Sequence, residues 1–214
     1  MKFITLISAL LLTVTVAQEK SADGFVALFD GKSLDGWKVN EEDKDKTVFS
    51  AKDGELIVKG GRAHLFYEGK DGKATFNNFI FKAKVLTKAN ANSGLYIHTE
   101  YQKDGWPAKG YECQVNNSFN ADPRRTGSLY AVQDFKDVIV KDDVWFDYEI
   151  KVEGKHITVS INGKVTADYT EKAGDPRAAD QAAGRWLKGG TFAIQAHDPG
   201  CEVHYKDLKV KVLP

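Results

Sequence analysis

The sequence lacks an excess of either charge, an internal repeat and a low-complexity tract. Thirty basic residues balance thirty acidic ones, so no net charge would favour nucleic acid or an anionic membrane as a partner. Beyond the N-terminal segment, no apolar run approaches the roughly 18 residues that span a bilayer. We therefore expect no nucleic-acid partner and no membrane span. The length of 214 residues fits one domain of all-β type, or at most two small ones.

The chain begins with a targeting signature. Lys2 precedes an apolar run from Phe3 to Val16, and Thr15-Val16-Ala17 offers small residues at the usual cleavage positions. This pattern predicts a secretory signal peptide over residues 1–17 and a polar linker over residues 18–24, with a buried strand as the alternative. Because no cysteine lies near the cleavage site, a lipoprotein anchor is not indicated. We expect an exported protein, periplasmic or secreted.

Export makes the two cysteines of the chain, Cys113 and Cys201, candidates for a disulfide. Closing so long a loop would stabilise the fold by roughly 4 kcal/mol in the chain-entropy model. The alternative is that each cysteine is a small buried apolar residue. Cys113 alternates with Glu112 and Gln114, so we expect it to face the core in either case.

Short alternating segments broken by Gly, Asn and Asp predict about a dozen strands. The predicted strands are Val48–Ala51, Glu55–Lys59, His64–Tyr67, Asn78–Leu86, Gly94–Glu100, Gly110–Val115, Ser128–Val132, Trp145–Val152, His156–Ile161, Lys164–Tyr169, Thr191–Ala196 and Val203–Val212. Asp53-Gly54 and Asn162-Gly163 predict two tight hairpins. One short helix is expected around Ala178 to Arg185, inside an insertion from Lys172 to Gly189. This content predicts an all-β fold, a two-sheet sandwich or jelly roll, as one domain over residues 25–214.

Two of these strands bury one face and carry polar side chains on the other. The first presents Glu112 and Gln114, and the second presents Gln195 and, just beyond its end, His197. Such a strand is either structural or part of a site. Two of them together indicate a polar surface built on a sheet, where we expect the function to lie.

Motifs in order along nearly all of the chain that follows the predicted signal peptide resemble the 3-keto-disaccharide hydrolase domain family. They are Gly24–Trp37, Asn92–His98, Gly110–Gln114, Thr126–Tyr130, Ile194–Gly200 and Tyr205–Leu208. The resemblance implies a concanavalin A-like jelly roll of two antiparallel sheets, with a concave sheet that receives sugars. The family often has Arg where this chain has His98 and Lys206. An Arg fork holds two oxygens at once, so substrate preference or activity could differ here.

The resemblance also implies a reaction. A ketone at carbon 3 of a sugar acidifies the proton on carbon 2, so a base removes that proton, the oxygen at carbon 1 leaves, and water adds back. This route needs a general base, a general acid and donors for the enolate oxygen. We expect Glu112 to be the base and His197 the acid or an orienting group. The alternatives are a solvated Glu112 and a His197 that stabilises the turn through Asp198.

Substrate-binding candidates follow from alternation, from the loops and from the family pattern. Aromatic faces stack on sugar rings, and carboxamides bind hydroxyls. Lys206 shares parity with the apolar Leu208 and Val210, so only a bulge or twist would bring it to the concave face. The full set of candidates is Tyr96, His98, Gln114, Tyr130, Gln195, Trp106 and Lys206.

No cofactor is assigned. His98, Glu112 and His197 would suit a divalent metal, although no His-x-His or His-x-x-x-His spacing supports one. His64, with His156 and His204, is interpreted as an ordinary strand or surface residue. A carbohydrate is the expected partner.

Two other functions stay open, a non-catalytic carbohydrate-binding module and an ordinary endo-glucanase. The chain has no Glu-x-Asp-x-x-Glu strand of the kind that laminarinase-like jelly rolls use, which weakens the glucanase alternative.

Overall fold

The fold, seen in a computed structural model, is built from strands alone in the residues that the structure describes, which are 21–41, 47–173 and 185–214. The predicted signal peptide lies outside these ranges, as does all of the predicted helix except Arg185. None of the described residues belongs to a helix long and apolar enough to cross a membrane.

Thirteen strands span the described residues. They are β1 (Val26–Ala27), β2 (Trp37–Val39), β3 (Thr47–Lys52), β4 (Glu55–Gly60), β5 (Ala63–Tyr67), β6 (Phe79–Thr87), β7 (Ser93–Thr99), β8 (Tyr111–Val115), β9 (Phe146–Glu153), β10 (His156–Ile161), β11 (Lys164–Thr170), β12 (Thr191–Ala196) and β13 (Glu202–Val212).

The strands form two antiparallel sheets. One has eight strands in the order β11-β10-β9-β6-β13-β4-β3, with β1 paired to β13, and the other has five in the order β2-β5-β12-β7-β8. The prediction of an all-β sandwich is confirmed, and both predicted hairpins are present. At each turn two residues have positive φ, Asp53 (53°) with Gly54 (83°) and Asn162 (49°) with Gly163 (78°). A tight hairpin turn of this kind requires that conformation at both positions.

The observed strands differ from the predicted ones mainly where the segments are short. β1 and β2 were not predicted, because two or three residues are too few to show a period. The predicted strand Ser128–Val132 is wrong: Leu129 makes only isolated bridges, to Cys113 and to Gln133.

The hydrophobic core lies between the two sheets, and the five-stranded sheet is covered on both faces. In β6 buried and half-buried residues alternate, as expected for a strand with one solvated face. In β7, β8 and β12 every residue is buried. Leu95 and Ile97 belong to the core between the sheets, whereas Tyr96 packs on the opposite side against Phe66. That second, outer face carries the candidate site.

The cysteines are two free thiols, both packed in the core. Cys113 faces the core, as its alternation predicts, but it forms no disulfide with Cys201. Burial raises the pKa of the Cys201 thiol to about 12 and raises that of Cys113 as well. Of the two alternatives, the structure therefore shows small buried apolar residues.

Candidate active site

A cavity of about 540 Å³ opens on the outer face of the five-stranded sheet. Neighbouring strands supply its floor, which contains Tyr96 of β7, Glu112 and Gln114 of β8, and Gln195 of β12. Loops supply its walls, which include Trp106, Tyr130, Arg185 and His197. The structure thus brings together all of the sequence-derived site candidates except His98 and Lys206.

Glu112 is a buried carboxylate held by two donors. The Tyr96 hydroxyl donates to its Oε2 at 2.8 Å, and Gln195 Nε2 donates to its Oε1 at 3.0 Å. Burial raises the pKa of Glu112, although the Arg185 charge and both hydrogen bonds oppose that rise. Burial and the nearby Glu112 also raise the pKa of Tyr96, so its hydroxyl keeps the proton that it donates. A carboxylate with a raised pKa is suited to accept a proton near neutral pH.

Gly94 provides the space that Glu112 occupies. Gly94 and Tyr96 of β7 pair with Gln114 and Glu112 of β8. A Cβ atom on Gly94 would lie 2.6 Å from Oε1 and 2.9 Å from Cγ of Glu112. The glycine is therefore required by close approach, which the sequence alone does not reveal.

Two buried carboxamides, those of Gln114 and Gln195, line the cavity. Gln114 Nε2 donates to Asn92 Oδ1 at 2.9 Å, and Gln195 Nε2 donates to Tyr96 and Glu112. These bonds fix both amide groups. The Oε1 atoms of Gln114 and Gln195 are buried without a hydrogen-bond partner among the described residues. Because buried acceptors are normally paired, these oxygens favour a ligand that brings several hydroxyl donors.

Trp106 lines the mouth of the cavity and is 40% exposed. Gln102 holds its loop: Nε2 donates to the Trp106 carbonyl at 2.9 Å, and Oε1 accepts from the Ala108 N–H at 3.0 Å. The indole ring centroid lies 5.0 Å from that of His197. Trp106 therefore contributes an aromatic ring to the cavity lining directly beside His197.

His197 follows β12 at a turn organised by Asp198. The backbone N–H of Gly200 donates to Asp198 Oδ1 at 3.0 Å. Asp198 Oδ2 lies 3.4 Å from His197 Nδ1, an ion-pair distance without the geometry of a hydrogen bond. The structure thus places His197 beside Asp198, as the turn alternative predicted, and also in the cavity wall.

His98 lies outside the cavity, contrary to the alternation argument. β7 and β12 lose register between Thr191 and Ala193, and His98 has φ of +52°. The ring lies 2.8 Å, through Nε2, from the Asn77 carbonyl and packs on Phe79 at 5.8 Å between centroids. A bulge therefore turns His98 away from the site.

The three residues named for a metal do not assemble, because His98 is separated from Glu112 and His197. Within ranges 21–41, 47–173 and 185–214, no group of three or more His, Cys, Asp or Glu is arranged to hold a metal ion.

Lys206 belongs to β13, on the other sheet. A bulge between Lys206 and Lys209 places both Tyr205 and Leu208 in the core. Lys206 therefore faces outward, with Nζ 4.0 Å from the centroid of the Trp145 ring. The sequence analysis required a bulge for Lys206 to reach the site. The bulge is present, but Lys206 faces solvent and not the site.

Sequence reasoning missed two residues of this region. His64 is fully buried, pairs across β5 and β12 with Gln195, and contacts the Tyr96 ring at 5.5 Å between centroids. Burial, aided by the charges of Arg62 and His197, lowers the pKa of His64 to about 3, so its ring is neutral. His64 could have been found from strand pairing, because it lies opposite Gln195 and therefore shares the same face of the sheet. Arg185 lies near the end of the predicted long insertion. The sequence there has no strand or helix periodicity that would have indicated Arg185 as a site residue.

Comparisons with known proteins agree with this architecture. The sequence profile of the family described as 3-keto-alpha-glucoside-1,2-lyase-like domain matches residues 24–211. A 3-keto-disaccharide hydrolase of Bacteroides thetaiotaomicron is 27% identical over 92 residues, covering 39% of this chain. The matched part is only 32% of the length of that relative.

Solved structures share the fold. A protein described as a candidate glycosyl hydrolase from Parabacteroides distasonis ATCC 8503 superposes with a TM-score of 0.71 at 22% identity, covering 93% of this chain and 98% of that one. A carbohydrate-binding module from Bacillus subtilis superposes with a TM-score of 0.56 at 10% identity, covering 82% and 95%. At these identities the likeness establishes a common fold.

Proposed function

The chain belongs to the 3-keto-alpha-glucoside-1,2-lyase-like domain family, and we propose that it cleaves 3-keto-glycosides by elimination followed by hydration. One observation carries the proposal. Glu112, a buried carboxylate with a raised pKa, lines a cavity together with Gln114 and Gln195, whose amide oxygens have no hydrogen-bond partner in the part of the chain that the structure describes. The named relative from Bacteroides thetaiotaomicron supports the same substrate class.

The reaction proceeds in three balanced steps. Glu112 takes the proton from carbon 2, and the C–H electron pair forms an enolate whose charge lies on the oxygen at carbon 3. The enolate electrons return, a double bond forms between carbons 1 and 2, and the bond from carbon 1 to the glycosidic oxygen breaks. That oxygen receives a proton from His197. Water then adds to carbon 1 and gives a proton to His197, carbon 2 takes a proton from Glu112, and 3-keto-glucose is released with both residues restored.

The floor residues explain why Glu112 suits the first step. Tyr96 and Gln195 fix the carboxylate on the cavity floor, so that it meets a bound sugar in one geometry. The carboxamide oxygens of Gln114 and Gln195 bind sugar hydroxyls, and Trp106 packs on the ring face or the aglycone. Correct placement of base and substrate contributes much of the rate in such reactions.

The direct test compares a 3-keto-disaccharide with its unoxidised parent as substrates of the purified protein. We expect release of 3-keto-glucose from the oxidised sugar and no cleavage of the parent. Cleavage of both sugars at similar rates would identify an ordinary glycosidase. Binding of both without cleavage of either would identify a carbohydrate-binding module.

The pKa of Glu112 leads to a pH prediction. The base must be deprotonated, and burial raises its pKa above the ordinary value of 4.5. We therefore expect kcat/KM for the 3-keto substrate to fall as the pH is lowered. The midpoint of this fall should lie at a higher pH than the pKa of an ordinary glutamate. A pH–rate profile checks this, and an acid limb at or below pH 4.5 would contradict it.

The same shift affects stability. The folded-state pKa of Glu112 lies above the unfolded one, so its contribution to stability is full below the unfolded pKa and is lost as the pH rises through the folded pKa. We expect the melting temperature of the wild type to decline as the pH rises through the folded-state pKa of Glu112. The variant Glu112→Gln should not show this decline. An equal decline in that variant would show that other groups cause it.

We also propose export to the periplasm or the medium, which the pattern of residues 1–17 supports. N-terminal sequencing of the mature protein from producing cells is expected to begin at Gln18. A protein that retains residues 1–17 would contradict export by this route.

A further inference from the structure

The cavity contains one fixed positive charge close to the proposed base. Among the described residues that line the cavity, Arg185 is the single arginine and there is no lysine. Arg185 is 4% exposed, and its Cζ lies 5.8 Å from the centroid of the Tyr96 ring. Its charge also acts on Glu112, where it opposes the rise in pKa that burial causes. Arg185 is thus near enough to the carboxylate to influence its charge state.

An ionic anchor inside the fold fixes the chain two residues from Arg185. The Leu187 N–H donates to Glu171 Oε2 at 2.7 Å, and Lys155 Nζ donates to the Leu187 carbonyl at 3.1 Å. Glu171 also accepts from Lys155 Nζ at 2.5 Å and from the Tyr111 hydroxyl at 2.8 Å. Burial alone would raise the pKa of Glu171, but these bonds outweigh it and lower that pKa. Glu171 therefore stays charged, and it holds the backbone at Leu187, two residues beyond Arg185.

The proposed reaction moves negative charge across the cavity. Glu112 loses its charge when it takes the proton from carbon 2, and the oxygen at carbon 3 gains that charge. A donor positioned beforehand at the developing oxyanion lowers the barrier most in a site that excludes water. A guanidinium near both Glu112 and the substrate meets this requirement, since it stabilises the charge before and after the transfer.

We propose that Arg185 binds the keto oxygen at carbon 3 and stabilises the enolate. The inference rests on the proposed function and deepens it, because it assigns the donor that the elimination needs. A ketone oxygen accepts hydrogen bonds and a guanidinium only donates them, so the pair is complementary. Arg185 is on this basis a catalytic residue, and Glu171 is a positioning residue that acts through it.

The test separates catalysis from binding with Arg185→Met and Arg185→Lys. We expect Arg185→Met to slow cleavage of the 3-keto-disaccharide by about 100-fold or more, and its affinity for the unoxidised parent, measured by calorimetry, to stay within about twofold. Lysine keeps the charge but not the fork, so Arg185→Lys should lie between the two. Arg62→Met serves as a matched control. It removes an equal charge, 5.1 Å from the Trp106 ring centroid, and should change the rate far less.

A second readout isolates enolate formation. A 3-keto sugar without a leaving group at carbon 1 exchanges its carbon 2 proton with D₂O, which NMR follows. We expect Arg185→Met to lose this exchange and added guanidinium ion to restore part of it in Arg185→Ala. Restoration of exchange would show that the fold is intact and that only the functional group was missing.

The outcomes distinguish the two levels of the proposal. If wild type cleaves the keto sugar and Arg185→Met cleaves it equally fast, the role of Arg185 is wrong and the proposed function stands. If Arg185→Met weakens binding of the parent sugar as much as it slows cleavage, Arg185 is only a binding residue. If wild type neither cleaves nor exchanges, the proposed function itself fails.

Discussion

Replacing Glu112 with glutamine is expected to slow cleavage of a 3-keto-disaccharide by about 10²- to 10⁴-fold, the range that a general base contributes. Glutamine keeps the size of the side chain but cannot accept the carbon 2 proton. The Tyr96 hydroxyl and Gln195 Nε2 both donate to Glu112, so the new amide must also turn its NH₂ toward a donor. Single-turnover kinetics at saturating substrate measure the loss, with circular dichroism to verify the fold.

A matched control is available next to the strand that pairs with β8. Glu100, just beyond the end of β7, has a side chain that is 63% exposed and pairs with Lys109. Glu100→Gln removes one carboxylate without touching the cavity floor, so its rate should equal that of wild type. If Glu112→Gln also retained the wild-type rate, Glu112 would not be the base.

Replacing Gly94 with alanine is expected to cost about 100-fold in rate, although the substitution adds only one methyl group. The new Cβ would lie 2.6 Å from Oε1 of Glu112, so the carboxylate must move. A shift of about 1 Å in a reacting group costs about this factor. The φ angle of Gly94 is not positive, so an alanine at this position would not strain the backbone.

A double-mutant cycle shows whether Gly94 acts through Glu112. In the Glu112→Gln background the base is already absent, so Gly94→Ala should add little further loss of rate. If the loss of rate in the double variant equalled the product of the two single losses, Gly94 would act by a route other than Glu112. A wild-type rate for Gly94→Ala alone would show that Glu112 tolerates the displacement.

Alternation predicted much of the candidate site because it rests on a strict geometric rule. Side chains two residues apart in a strand share a face, and antiparallel neighbours bring those faces together. Glu112, Gln114 and Gln195 therefore lie on one floor. Tyr96 joins them from β7, with its hydroxyl on Glu112.

The same rule failed where a strand contains a bulge. His98 has positive φ at a loss of register with β12, and Lys206 precedes a loss of register between β13 and β6. Each bulge shifts the parity of the residues near it. Its position depends on pairing with a distant strand, which local sequence does not specify.

Other features of the site depend on contacts between distant segments. Arg185 reaches the cavity from a long insertion, which carries no periodic pattern. Gly94 is required only because the register of β7 and β8 places Glu112 against it. The cysteines were ambiguous for the same reason, since a disulfide depends on the separation of two residues distant in sequence.

Cleavage of the 3-keto-disaccharide in D₂O, with NMR of the released sugar, tests most directly whether the protein removes a proton from carbon 2. We expect the released 3-keto-glucose to carry deuterium at carbon 2, because elimination takes the original proton away and hydration returns one from solvent. Incubation of 3-keto-glucose alone with the protein gives the background exchange. Because Glu112 can also return the proton that it removed, a substrate with deuterium at carbon 2 completes the test, and we expect it to be cleaved more slowly. Retention of the carbon 2 proton together with an unchanged rate for the deuterated substrate would mean direct displacement at carbon 1, and would contradict the role of Glu112 as the base.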